Sequence, residues 1–287
     1  MKFRTEIPRP EYPFLVGYES KSIFMGSCFS DHIGNYLKNN GFPVLSNPFG
    51  ILFNPASIVN ALKMAINPDL FNDTFYSFYD ENWISFAHHG KFSNPDKLLF
   101  LENIENQLKN TNLFLKNTNF LFITFGTSYA YLHKKNNIIV SNCHKIPARE
   151  FEKIRLDTEE IVTSFDFLFE WIIDHNPEMK VLFTVSPVRH LGDGFHENTL
   201  SKSILHLAVD KMVDNKTVFY FPSYEIIQDD LRDYRFYASD LCHPGDNAIE
   251  YMEEMFADSF FSEETKKRLK VIEKDNKFKS HKVIKRL

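Results

Sequence analysis

An α/β fold, with a parallel sheet carrying helices on both faces, is what this sequence predicts. Apolar runs alternate with helical periods along the chain, and most of those runs are continuous rather than alternating in polarity. Continuous apolar strands are buried on both sides, and strands separated by helices return parallel through right-handed crossovers. No Pro/Gly/Ser linker, repeat or low-complexity tract divides the chain. Its 287 residues, 43% of them hydrophobic, can bury a large core, so the expected organisation is one domain over 1–262 and a basic tail over 263–287.

The expected strands are 22–25, 42–45, 120–125, 180–185 and 217–221, each rich in Val, Ile, Phe or Leu. Helices are expected at 31–39, 55–66, 95–109, 158–176, 198–214 and 247–255. The clearest is 158–176, where Ile161, Val162, Phe165, Leu168, Phe169 and Ile172 form one apolar stripe. Two stretches, 75–86 and 129–140, read as short strand pairs inserted over the sheet, the second turning through Lys134-Lys135-Asn136-Asn137. The tail is expected to begin as a helix and end loosely ordered, solvated rather than a surface for an acidic partner. Thirty Phe read as core rather than as a ligand platform.

Composition narrows the partners. A formal net charge of -5 gives no attraction to nucleic acid or to an anionic membrane, so neither is an expected partner and a small or neutral substrate is. Residues 1–8 hold no apolar signal core, and no segment is long and apolar enough to cross a bilayer, so the expected location is cytoplasmic. Cys28, Cys143 and Cys242 are odd in number and lack C-x-x-C spacing, which argues against a disulfide framework and a zinc site. They read as small thiols beside the site, with no metal or cofactor expected. The oligomeric state is not legible.

Two short motifs carry the chemistry. Gly26-Ser27-Cys28-Phe29-Ser30 follows the first strand, which places Ser27 at a strand-to-helix turn where its hydroxyl can meet a substrate. Asp240-Leu241-Cys242-His243-Pro244 follows the fifth, with a carboxylate and an imidazole three residues apart, so that the carboxylate orients the ring and the ring takes a proton from serine. In parallel sheets ligands sit at the carboxyl ends of the strands, where Asn47-Pro48-Phe49-Gly50, Gly126-Thr127-Ser128 and Ser186-Pro187-Val188-Arg189-His190 also fall. Candidate oxyanion donors are the Gly50 N–H, the Thr127 or Ser128 hydroxyl and the Ser27 N–H.

Pro187 throws Arg189 and His190 onto the rim, where Arg189 meets either a substrate carboxylate or phosphate, or Asp193. Asn142 and His144 are further candidates for the cleft, His144 equally as a structural ring. His88-His89 lacks helical ligand spacing and reads as exposed loop. Ser27 has a plainer alternative as a helix cap, with Ser30 and Asp31 also available. Cys28 is a competing nucleophile.

The first motif resembles the signature of the GSCFA family, and the Asp240 to Pro244 motif resembles that family's carboxy-terminal block. Asn47-Pro48-Phe49-Gly50, Asn142-Cys143-His144-Lys145, Ser186 to His190 and Phe221-Pro222-Ser223-Tyr224-Glu225 match in order. The family is similar to the SGNH (GDSL-type) hydrolases, which implies a flavodoxin-like three-layer α/β/α sandwich and a Ser-Asp-His site without metal or cofactor. By position the resemblance makes Ser27 the nucleophile, His243 the base, Asp240 its orienting partner and Gly50 an oxyanion donor. Ser128 stands where asparagine is usual, and Asn142 is a second candidate for that donor. The implied activity is ester hydrolysis, with a carbohydrate or other small ester as substrate. The alternative is a non-catalytic module that binds a carbohydrate or a partner on the same fold.

Overall fold

A computed structural model describes residues 4–284. In chain order its elements are β1 (Ser22–Gly26), α1 (Cys28–Asn39), β2 (Val44–Ser46), α2 (Pro55–Ile66), β3 (Tyr76–Tyr79), β4 (Asn82–Ser85), α3 (Lys97–Leu115) and β5 (Phe120–Phe125). Then come β6 (Tyr129–His133), β7 (Ile138–Val140), β8 (Phe151–Arg155), α4 (Thr158–Ser164), α5 (Asp166–His175), β9 (Lys180–Val185) and α6 (Phe195–Met212). β10 (Val218–Tyr220), the single turn α7 (Ser223–Glu225), α8 (Asp246–Phe260) and α9 (Glu263–Ile284) complete the chain.

The five expected strands form one sheet, ordered β10-β9-β5-β1-β2 and parallel throughout. Numbered within the sheet this is 2-1-3-4-5, the flavodoxin-like order, whose direction of winding reverses between β1 and β5. Side-chain alternation then sorts the core. Ile23, Met25, Ile123, Phe125 and Phe183 face a cluster with α2 to α6, whereas Phe24, Phe122, Leu182 and Phe219 face one with α1, α8 and Leu269 of α9. Phenylalanine fills both layers, with Phe24 stacked on Phe122 at 4.3 Å between centroids.

The inserted hairpins occur as expected, β3 with β4 and β6 with β7, but β8 was missed and pairs along the other edge of β6. Its sequence, Phe-Glu-Lys-Ile-Arg, carries three charges in five residues and buries only Phe151, so it lacks the apolar run of a central strand. The expected helix at 158–176 is two helices. Asp157 and Glu160 close a capping box that starts α4, and the chain breaks at Phe165, where the Ser164 hydroxyl donates to Ile161 O at 2.7 Å. Phe165 turns inward between Phe125 and Phe183.

α9 is helical to Ile284, the helical start expected of the tail, and docks through Leu269 and a Tyr36 hydroxyl bond to Glu273. Expectations for the chain's start and tail end extend to residues 1–3 and 285–287, which lie outside the described residues. No helix among the described residues is long and apolar enough to cross a membrane.

At Gly26 a backbone φ of +125° closes the strand, and a methyl there would lie 2.1 Å from Thr124 O. Gly26→Ala is therefore expected to cost at least about 3 kcal/mol in urea unfolding. Gly192→Ala, where nothing lies within 4 Å, is expected to cost under about 1 kcal/mol.

Candidate active site

The site begins with how β1 ends. Asn47 sits at φ +39°, accepts the Gly26 N–H on Oδ1 at 3.0 Å and donates from Nδ2 to Asp31 at 3.1 Å. This holds Gly26 against the β2 loop and sets Ser27 at the N-cap of α1 in extended backbone, φ -80° and ψ -174°. An N-cap serine ordinarily spends its hydroxyl on the helix's first amides. Here Ser27 makes no capping bond, and its Oγ is buried without a partner. The neighbouring alternatives are occupied: Ser30 bonds Met25 O at 2.9 Å and Thr124 Oγ1 at 2.6 Å, and Asp31 receives Asn47. Leaving a buried hydroxyl unpaired costs about 1–3 kcal/mol, a cost a purely structural cap would not carry.

Asp240 and His243 form the expected pair. One carboxylate oxygen accepts the backbone N–H groups of Cys242 and His243, both at 2.9 Å, which builds the turn. The other meets His243 Nδ1 at 2.6 Å. Those backbone donors, first His243 N–H and then Cys242 N–H, with the ring, hold the carboxyl down to about 2. Ionised, it only accepts, so the neutral His243 ring carries its proton on Nδ1 and has a lone pair on Nε2. His243 lines a cavity of about 210 Å³ with Cys28, Phe29, Ser186, Pro187 and Val188. Burial, ahead of the Asp31 charge, raises the Cys28 thiol, which opposes thiolate formation.

Ser27 and His190 flank the space that Gly126 leaves empty. A methyl on Gly126 would lie 3.2 Å from Ser27 Cβ and 3.4 Å from His190 Nε2. His190 Nε2 is buried with no partner; its backbone N–H donates to Asn198 Oδ1 at 3.0 Å, and its ring meets Phe53 edge-on at 5.6 Å. Burial, then the charges of Lys202 and His243, lowers this imidazole to about 4 and keeps it neutral.

The backbone donors proposed for an oxyanion are otherwise engaged. Ser27 N–H donates to Thr124 O at 3.1 Å and Gly50 N–H to Asn47 O at 2.8 Å, and a methyl on Gly50 would strike His89 Cβ at 2.1 Å. Thr127 Oγ1 lies 3.1 Å from Ser201 Oγ and accepts the Tyr129 N–H. The Ser128 hydroxyl is buried and unpartnered, as a hydroxyl donor would need.

Other candidates lie elsewhere. Asn142 caps the His144 N–H, His144 bonds Ser85 O at 2.7 Å, and both line a separate cavity of about 320 Å³. Asp193 is taken by Lys153, so Arg189 does not pair with it; Arg189 Nε is buried and unpartnered, and the side chain lines a cavity of about 430 Å³ with Tyr224, Asp229 and Tyr237. His89 is exposed as expected, but His88 is 1% exposed, corrected from exposed loop to core by contacts with Phe49, Phe71 and Phe92.

Lys202 was missed. Its ammonium is buried beneath the site and donates to Gly126 O at 2.6 Å and Ser186 O at 2.7 Å, tying together the ends of β5 and β9. Burial, then the Arg189 charge, lowers it to about 7. The available signal was its place on the apolar stripe of α6 with Leu205, Val209 and Met212.

The family model of the GSCFA family matches residues 21–256. No curated protein matches the chain. Among solved structures, an acetyl xylan esterase (Est2A) from the rumen bacterium Butyrivibrio proteoclasticus is similar, at 14% identity and a TM-score of 0.27. That match covers 49% of this chain and 36% of the other, so this chain spans about a third of that protein's length.

Burial lowers His88 to about 3, ahead of the His144 charge, and His190 to about 4. Unfolded imidazoles titrate near ~6.5, so below that pH the unfolded chain binds more protons. The contribution of these two rings is thus expected to be intact above ~6.5 and to be lost progressively as pH drops from there through 4 and then 3. Urea midpoints at neutral and acid pH check this, with a smaller acid loss expected for His88→Phe than for wild type.

Proposed function

The chain belongs to the GSCFA family, and from that premise we propose that it is a serine-dependent ester hydrolase working through an acyl-enzyme. The observation that carries this reading is the combination of a buried, uncapped Ser27 hydroxyl with an Asp240-His243 pair whose Nε2 is left as the base. The resemblance to SGNH hydrolases assigns the same three residues; Ser27 follows β1, beside the point where the winding reverses, and Asp240 and His243 follow the edge strand β10.

In the reaction, His243 Nε2 takes the Ser27 proton as Oγ attacks the ester carbonyl. Asp240 holds the ring and stabilises the imidazolium that forms. Collapse of the tetrahedral adduct expels the alcohol, protonated by His243, and water activated by the same ring then releases the acid. The cavity of about 210 Å³ at His243 suits a small acyl or alcohol group, and the one of about 430 Å³ beside Arg189, with its tyrosines and carboxylates, suits a polar remainder such as a carbohydrate. No metal or cofactor enters this route.

One observation favours a second reading, a non-catalytic module binding a carbohydrate or a partner in the cleft: the Ser27 and Gly50 N–H groups are spent on backbone carbonyls. Cys28 also lines the His243 cavity, which makes a thiol nucleophile the natural control.

Ser27→Ala is expected to lower hydrolysis of p-nitrophenyl acetate by at least about 10³-fold while the fold becomes no less stable to urea, and Asp240→Asn by about 10²–10⁴-fold. Intact-mass detection of a fluorophosphonate adduct should give one label on wild type and Cys28→Ala and none on Ser27→Ala. A folded wild type that takes no label and cleaves no ester sinks the hydrolase reading in favour of the binding module.

A further inference from the structure

A serine attacking a carbonyl needs a hydrogen-bond donor where the oxyanion forms, and in low-dielectric surroundings that donor is among the largest contributions to rate. The backbone donors nearest the nucleophile are occupied. Ser27 N–H closes the β1 end onto Thr124 O, Gly50 N–H closes its own turn, and Gly126 N–H and Thr127 N–H both converge on Phe53 O at 2.8 and 3.0 Å. Each of these bonds holds a strand end or loop in place, so freeing one would loosen the nucleophile itself.

Beside Ser27, one side-chain nitrogen is unspent. His190 Nε2 abuts the same point on Gly126 as Ser27 Cβ, is buried, and has no partner. Such a group costs stability unless a ligand supplies its partner. Asn198 holds the His190 backbone through its N–H, and Phe53 packs against the ring at 78° between planes, so the side chain is positioned before substrate arrives.

Resting on Ser27 as the nucleophile, we propose that His190 is the oxyanion donor of this site, presenting a neutral Nε2–H to the carbonyl oxygen of the ester. As Ser27 Oγ bonds to the carbonyl carbon, the π pair moves to oxygen and the Ser27 proton to His243 Nε2. His190 donates a hydrogen bond to that oxygen and keeps its proton. When the C=O bond re-forms and the alcohol departs with the proton from His243, His190 is unchanged. The two imidazoles divide the work by environment. His243 is half exposed and paired with a carboxylate, which suits a base that becomes charged. His190 is half-buried with its Nε2 fully enclosed, and that burial, then the Lys202 charge, disfavours its protonation and suits it to donate without titrating.

Two variants separate this role from a structural one. His190→Phe keeps a flat ring without a donor, and His190→Gln keeps an amide N–H at similar reach. With p-nitrophenyl acetate as probe, His190→Phe is expected to lower kcat by about 10²–10³-fold with little change in KM, and His190→Gln to stay within about tenfold of wild type. Fluorophosphonate labelling of Ser27 should slow in the same order. Labelling of wild type with His190→Phe still within about threefold of wild-type turnover overturns the proposal, as does an equal loss in both variants. A wild type that takes no label removes the Ser27 reading and this one with it. Independently of any variant, ¹⁵N spectra of wild type are expected to place the His190 proton on Nε2, and a proton on Nδ1 overturns the assignment.

Discussion

The contact on which the rest of the site depends is that between the end of β1 and the end of β5. At Gly26 the chain leaves the sheet with a backbone φ open to glycine, and a side chain there would collide with Thr124 O. Ser27 N–H then bonds that same carbonyl, while Ser30 from the next turn bonds Thr124 Oγ1. One residue of β5 thus fixes both the strand end and the first turn of α1. Asn47 supplies the third constraint from the β2 loop. A serine so restrained is directed by backbone geometry rather than by its own hydroxyl, which is what leaves the hydroxyl available.

The same economy runs beneath the cleft. Parallel strands end in carbonyls that no further strand receives, and Gly126 O and Ser186 O are two such groups brought side by side. Lys202 answers both with one ammonium, and burial of that charge is offset only by hydrogen bonds, since no carboxylate pairs with it among the described residues. Its lowered pKa is the measure of that imbalance, and its field reaches His190. In its protonated form, Lys202 under the strand ends also favours negative charge developing above them. Structural repair of two carbonyls and an electrostatic bias on the cleft therefore come from a single side chain.

Much of this was legible in the sequence because burial on both faces leaves so plain a mark. The strands at 120–125 and 180–185 match residue for residue, since a short run dominated by Phe, Leu, Ile and Val and closed by Gly126 or by Ser186-Pro187 admits few other structures. Asp240 and His243 were legible because their spacing alone lets the carboxylate meet the ring. β8 was not, because an edge strand over a small cluster needs only one buried residue and advertises charge instead. The break at Phe165 was hidden for a different reason: the apolar stripe continues through it in register, and only the preceding Ser164 signals that the backbone has a competing bond. Asn142 and His144 sit in the right order along the chain but fold onto the inserted hairpins, a placement set by tertiary packing of Phe86, Val140 and Phe151.

His190 lies between these cases. Its position after a buried strand was readable, and Pro187 explains why the chain turns there, but its burial is not a property of its own segment. It follows from Phe53, which arrives from a loop far away in sequence, and from Asn198 in the first turn of α6. The role of a ring nitrogen is decided by what its neighbours have already taken, and that accounting needs the whole site. Around Ser27 the amides are spent on holding the backbone, His243 faces the cavity with a carboxylate behind it, and His190 faces Gly126 with a cation behind it. Burial first, and then the Lys202 charge, disfavours the protonated form of His190. Two histidines at one cleft are thereby not redundant: on the reading proposed above, the ring backed by a carboxylate serves as the base and the ring backed by Lys202 as the standing donor.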